Sequence, residues 1–145
     1  MPQKQDKFKK QVDEIIAKDS RYPFEAYEYV SQAVGKVCRE LAEDNNGETR
    51  RHISGKQLID GLKVLLLKDF DRMAIDVLKL WNVNATDDIG NIVFNLVNAK
   101  LLGVSENDSI DDFKNQGDFY QMFVAPFEVH LDDSTSMPVI NKINH

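Results

Sequence analysis

Cysteine, proline and glycine are all scarce in this 145-residue chain, at one, four and seven copies. The lone cysteine, Cys38, excludes an intramolecular disulfide and any zinc site built from several thiolates, and it points to a reducing compartment. Long hydrophobic runs are also missing. The longest, such as Val64 to Leu67, fall far short of the ~20 residues that a membrane-spanning helix requires. The Lys-rich start, Met1 to Lys10, leads into Gln11, Val12, Asp13 and Glu14 rather than into the apolar stretch of a secretory signal. Glycine-rich phosphate loops and the nucleophile-elbow pattern do not occur, and no strand–helix alternation announces a nucleotide crevice. These absences predict a cytoplasmic protein with no membrane partner.

Enough apolar material is present for a core. With 42% of its residues hydrophobic, a chain of this length is expected to fold as one domain and to bury roughly 68–70% of its unfolded surface. Charge is unevenly spread. Residues 1–81 carry 15 basic and 14 acidic side chains, whereas residues 82–145 carry 3 and 10. That balance argues against non-specific phosphate binding, which depends on clustered Lys and Arg.

The hydrophobic spacing predicts five helices. Phe8, Val12, Ile15 and Ile16 form the apolar stripe of a first helix ending near Lys18. Pro23 suits the first turn of a second, whose buried stripe is Ala26, Val30, Ala33, Val34, Val37 and Leu41. After the turn-rich stretch from Asp44 to Thr49, Ser54 and Gln57 form a capping-box signature ahead of Leu58, Leu62, Leu65 and Leu66. A fourth helix, capped by Asp69 or Asp71, carries Met73, Val77, Leu78 and Trp81. A short turn at Asn82–Ala85 leads to a fifth, capped by Thr86, with Ile89, Val93, Phe94, Leu96 and Val97 as its apolar positions. Gly90 lies inside that fifth helix, where it is unfavourable by about 1 kcal/mol relative to Ala; close approach of another helix or of Trp81 would account for it. The acidic stretch from Ser105 is anchored by Ile110 and Phe113. Past Gly117, Phe119, Met122 and Phe123 suit a helical turn, and Phe127, Val129 and Leu131 alternate with polar residues as in a short strand. Residues 132–145 are polar and read as a fraying tail.

Few residues are arranged for chemistry. His52, His130 and His145 are widely separated and show no zinc-binding spacing, the acids Asp108, Asp111, Asp112 and Asp118 do not follow a calcium-loop pattern, and Cys38 has no histidine near it in sequence. No metal and no cofactor is expected. Arg50, Arg51, His52 and Lys56, just before a helix N-terminus, could hold an anion, although a solvated basic loop is the simpler reading. The fourth and fifth helices resemble a helix-turn-helix pair, but the outward positions Asp87, Asp88, Asn91, Asn95 and Asn98 set two aspartates toward the phosphates. The segment of Phe119, Tyr120, Met122, Phe123 and Phe127 concentrates aromatic surface and either docks on the chain's own core or, through Phe119, Phe123 and Phe127, anchors an interface.

The strings Arg21-Tyr22-Pro23-Phe24-Glu25-Ala26-Tyr27, His52-Ile53-Ser54-Gly55, Asp87-Asp88-Ile89-Gly90-Asn91-Ile92-Val93-Phe94-Asn95-Leu96-Val97 and Asp111-Asp112-Phe113 resemble a family of short bacterial proteins. The likeness runs over about residues 20–120. It implies a bacterial, cytoplasmic, mainly helical domain, and it carries no activity, cofactor or catalytic residue to any position.

The sequence thus predicts a mainly α, single-domain bundle of about five helices over residues 1–131, with a helix-turn-helix-like pair, an irregular acidic and aromatic C-terminal segment, and a flexible tail. It is expected to act as a small non-catalytic protein-interaction or regulatory module, partnered by another protein or by itself. A nucleic-acid-binding module using the loop at residues 50–56 is the alternative, and an enzyme of unrecognised class the third reading.

Overall fold

The five amphipathic segments form the five helices of a computed structural model, which describes residues 4–44, 53–102 and 110–128. They are α1 (Lys4–Lys18), α2 (Phe24–Asp44), α3 (Gly55–Phe70), α4 (Ala74–Leu80) and α5 (Thr86–Asn98). A 3-10 turn, Asp71–Met73, joins α3 to α4. Three further turns follow α5: a 3-10 turn at Ile110–Phe113, a π turn at Tyr120–Val124 and a 3-10 turn at Ala125–Phe127. No strand occurs among the described residues. Phe127, expected in a strand, lies in the last 3-10 turn, where the ring of Pro126 holds φ near the helical value. Val129 and Leu131, the rest of that strand, lie outside the described residues, as do the loop at 45–52 and the tail from residue 132.

Helix α2 is the centre of the bundle, packing against α1, α3 and α5. Its inward stripe, Ala26, Val30, Ala33 and Val37, is buried as the spacing predicts, with Val34 half-buried and Tyr27 added beneath it. The opposing surfaces come from Leu58, Ile59, Leu62 and Leu66 on α3 and from Ile89, Ile92 and Leu96 on α5. Each such side chain contributes about 1.5–3 kcal/mol when fully removed from water. Close approach of α2 and α3 depends on Gly61, where a Cβ would overlap Val37 Cγ2.

Local chemistry sets the helix ends. Ser54 closes the predicted capping box: its Oγ accepts from the Gln57 amide at 3.0 Å, and Gln57 Oε1 accepts from the Ser54 amide at 2.8 Å. At α5 the expected cap moves by one residue. Ala85 holds the extended N-cap position, and Asp88 reaches back so that Oδ2 accepts from the amides of Asn84 at 2.8 Å and Ala85 at 3.2 Å. Thr86 is consequently inside the helix and buried, and its Oγ1 accepts from the Gln116 amide at 3.2 Å. A carboxylate satisfying two amides at the positive end of the helix dipole does the work assigned to the threonine hydroxyl.

Neither Asp69 nor Asp71 caps α4. Asp69 accepts instead from the Tyr29 hydroxyl at 2.8 Å. Asp71 adopts φ 52°, and its amide donates to the Leu67 carbonyl, ending α3. Gly90 is approached not by Trp81 but by Phe113, whose Cβ would lie 2.8 Å from a Cβ at that position. The Ile110–Phe113 turn thereby seals α5, and through Asp112 it also touches Gly55 at the start of α3.

Candidate functional site

Polar side chains gather where the α1–α2 connection meets α5. Asp19 Oδ1 accepts from Arg21 Nε at 2.9 Å, and Oδ2 accepts from an Arg21 terminal nitrogen at 2.7 Å and from Asn95 Nδ2 at 3.0 Å. Asn95 Nδ2 also donates to the Tyr27 hydroxyl at 3.0 Å. One turn earlier on α5, Asn91 Nδ2 donates at 3.0 Å to the Tyr22 hydroxyl, which itself donates to Asp88 Oδ1 at 2.6 Å. Asn82 Nδ2 then donates to the Arg21 carbonyl at 3.0 Å.

These contacts set the titration of the groups involved. The Arg21 guanidinium holds the Asp19 carboxyl well below the usual carboxylate range. Burial, together with Asp88 as acceptor, pushes the Tyr22 phenol up to about 12. Asn91 and Asn95 are half-buried, with their amide groups engaged within the protein. They hold the α1–α2 connection to α5, and of the three asparagines only Asn98 is exposed. Helix α5 packs mainly on α2 and on the Ile110–Phe113 turn, while α4 packs on α3 and on the π turn.

The sequence-predicted basic surface is described at one residue. Lys56 is exposed in the first turn of α3, its ammonium 3.1 Å from Asp60 Oδ2; Arg50, Arg51 and His52 lie outside the described residues. Of the aromatic candidates, Phe119 and Phe123 are buried in the core with ring centroids 5.6 Å apart in an edge-to-face pair. Phe127 is half-buried, with the Arg72 guanidinium 5.2 Å above its ring. Tyr120 is the member of the segment that faces outward, at 47% exposure. Its hydroxyl donates to the Glu128 carboxylate.

Clefts open at two places among the described residues. One, of about 380 Å³, runs between α1 and the end of α5 and is lined by Gln11, Glu14, Lys18, Asp19, Asn95 and Asn98. The other, of about 290 Å³, lies between α2 and α3 over Ala33, Val37, Gly61 and Leu65. Its rim carries the ion pairs Lys36–Glu40 and Lys56–Asp60, each at 3.1 Å. Cys38 is half-buried nearby on α2. No group of three potential metal ligands occurs among the described residues, and no described helix is long and apolar enough to cross a membrane.

Among the described residues, a surface feature that the core does not explain is on α4. Ala74 and Leu78 face inward and are buried, while Met73, Val77 and Leu80 form a second stripe at i, i+4, i+7. Met73 is 62% and Leu80 79% exposed, with Val77 half-buried between them. Arg72, Asp76 and Lys79 flank the stripe and are exposed, and the turn carrying Tyr120 packs beside α4. The spacing predicts Met73 on the core side and gives Leu80 no side, whereas the structure exposes both. The signal that would have found this surface is the apolar spacing itself, since both faces of α4 carry it. The chain matches no described protein family, no curated protein and no solved structure.

Proposed function

We propose that this is a non-catalytic protein-interaction domain that docks a partner helix through the outer face of α4. The observation that carries the reading is the stripe made by Met73, at the N-cap of α4, with Val77 and Leu80 on that seven-residue helix. Scattered exposed apolar residues need no explanation, but among the described residues two of the four most exposed large apolar ones share one short face. An amphipathic helix laid across that face would cover Met73 and Leu80, about 10 Å apart along the axis, with its own i, i+3/i+4 anchors. Arg72, Asp76 and Lys79 would set orientation and partner choice at the rim. The single cysteine supports a reducing, cytoplasmic setting.

The test compares the full chain with Leu80→Asp, and with Val64→Asp as a control at an exposed residue on α3. A helical partner captured by the wild type and by Val64→Asp but lost by Leu80→Asp is the expected result. A partner retained by Leu80→Asp would refute the assignment. The nucleic-acid alternative draws no support from α5, because Asn91 and Asn95 are bonded to Tyr22, Tyr27 and Asp19.

A further inference from the structure

We propose that the chain pairs with a second copy of itself through the cleft between α2 and α3, about a two-fold axis running along that cleft. The surface involved is separate from the α4 stripe, and the inference does not depend on it. Helices α2 and α3 run antiparallel, because Tyr29 meets Asp69 and Phe70, whereas Val37, farther along α2, meets Gly61, which is earlier on α3. That register sets Lys36 level with Asp60 and Glu40 level with Lys56. The cleft floor is small and apolar, made of Ala33, Val37 and Gly61, with Leu65 half-buried at its side. Val64 stands at its edge with 64% of its surface in water.

The order of charges along the two walls selects the occupant. Read in one direction, α2 presents Lys36 and then Glu40, while α3 presents Asp60 and then Lys56. Each pair is bridged within its own helix at 3.1 Å, yet the four side chains keep 39–70% of their surface in water and can reach outward. A two-fold axis along the cleft lays α3 of each copy over α2 of the other. Lys36 then faces Asp60 of the second copy and Glu40 faces its Lys56, and symmetry repeats both contacts. An axis across the cleft would also pair opposite signs, but it would set Val64 over the charged end near Lys56; the axis along the cleft sets Val64 over Ala33 and Val37 of the second copy, where its apolar surface leaves water. Each wall is neutral, so the chain's net charge of −6 does not act at the contact itself. Any other partner would have to reproduce this order of signs, whereas a second copy carries it by construction.

The test is sedimentation equilibrium of the full chain over a range of concentrations. The wild-type mass is expected to climb from 16.6 kDa toward twice that value as concentration rises; a mass that stays at 16.6 kDa overturns the proposal. Val64→Asp is expected to weaken association by about tenfold or more, since the residue is buried twice in the pair, and Leu80→Asp to leave it unchanged. The opposite pattern would put the contact on α4 and overturn the proposal. Exchanging the α3 charges, Lys56→Asp with Asp60→Lys, keeps that helix's internal ion pair but sets like charges opposite one another at all four contacts, and is expected to weaken association by about tenfold. Exchanging the α2 charges as well, Lys36→Glu with Glu40→Lys, restores opposite signs. That fourfold variant is expected to associate with itself as the wild type does, which also shows that the exchanges leave the fold intact, and to form no mixed pairs with isotopically labelled wild type in native mass spectrometry. Free mixing of the two, or an α3 exchange that leaves association unchanged, overturns the proposal.

Discussion

Gly90 shows how a residue's cost and its use are decided by different neighbours. Within an exposed helix Gly→Ala stabilises by about 1 kcal/mol, yet at Gly90 the new methyl would stand 2.8 Å from Phe113 Cβ. Phe113 is buried and cannot swing aside, so overpacking of about 1–3 kcal/mol outweighs the propensity gain. Gly90→Ala is therefore expected to lower the urea midpoint. Gly35→Ala is expected to raise it by the equivalent of about 0.5–1 kcal/mol, because there a Cβ meets only Arg39 Nη1 at 3.5 Å. If both shift stability in the same direction, the contact between Phe113 and Gly90 is not as described. Tyr22 makes a comparable case for a polar atom. Tyr22→Phe removes the donor to Asp88 Oδ1 and the acceptor for Asn91, a loss of about 1.5–3 kcal/mol for a hydrogen bond to a charged group. Because the folded phenol titrates near 12, against about 10 in the unfolded chain, its stabilisation is whole below pH 10 and drains between pH 10 and 12. Equilibrium unfolding followed across that range should fall less steeply for Tyr22→Phe than for the wild type.

At the scale of elements, what could be read from the sequence was what is local. The capping box at Ser54 and Gln57 needs only three residues, and it formed as read; Ser54→Ala should cost about 1 kcal/mol in a thermal or urea melt. The stripe of α2 from Ala26 to Val37 likewise follows from 3.6-residue periodicity, whereas on α5 Ile89 and Leu96 are buried as expected, Val93, Phe94 and Val97 are half-buried, and Ile92 takes the inner place. The polar seam did not declare itself, because Asn91 and Asn95 find their tyrosine partners 69 and 68 residues away. In sequence they looked like any solvent-facing amides. The start of α4 was hidden for another reason. The break after α3 is made by Asp71 at φ 52° and a 3-10 turn, whereas an Asp69 or Asp71 cap, as the sequence predicts, starts the helix earlier and sets Met73 inside it. Met73 stands where that turn meets α4 and is 62% exposed.

For the molecule as a whole, the bundle divides into a densely packed body and one helix attached at its edge. Helices α2, α3 and α5 bury their stripes against one another, whereas α1 packs on α2 through Phe8, Val12, Ile15 and Ile16 and is followed at once by Asp19. Asp19 then fastens the connection by accepting from Arg21 and Asn95, and Gln11 Nε2 adds a bond to the Ala99 carbonyl at 3.3 Å. Regions with fewer buried contacts open first, with free energies below that of global unfolding, so α1 is the element expected to open locally. Asp19→Ala should enlarge that difference by leaving Asn95 Nδ2 without its carboxylate and Arg21 without its bidentate partner. The measurement is amide hydrogen exchange: protection at Val12, Ile15 and Ile16 should drop in Asp19→Ala while protection at Leu62 and Leu66 on α3 changes little. Acid should act in the same direction. The Asp19 carboxyl is held well below its ordinary value by Arg21, so its contribution is complete above about pH 4 and is lost as the pH falls below that. The wild type is then expected to lose α1 protection below pH 4, and Asp19→Ala to have lost it already at neutral pH. Equal loss of protection in α1 and α3 would instead mean that the five helices open as a single unit.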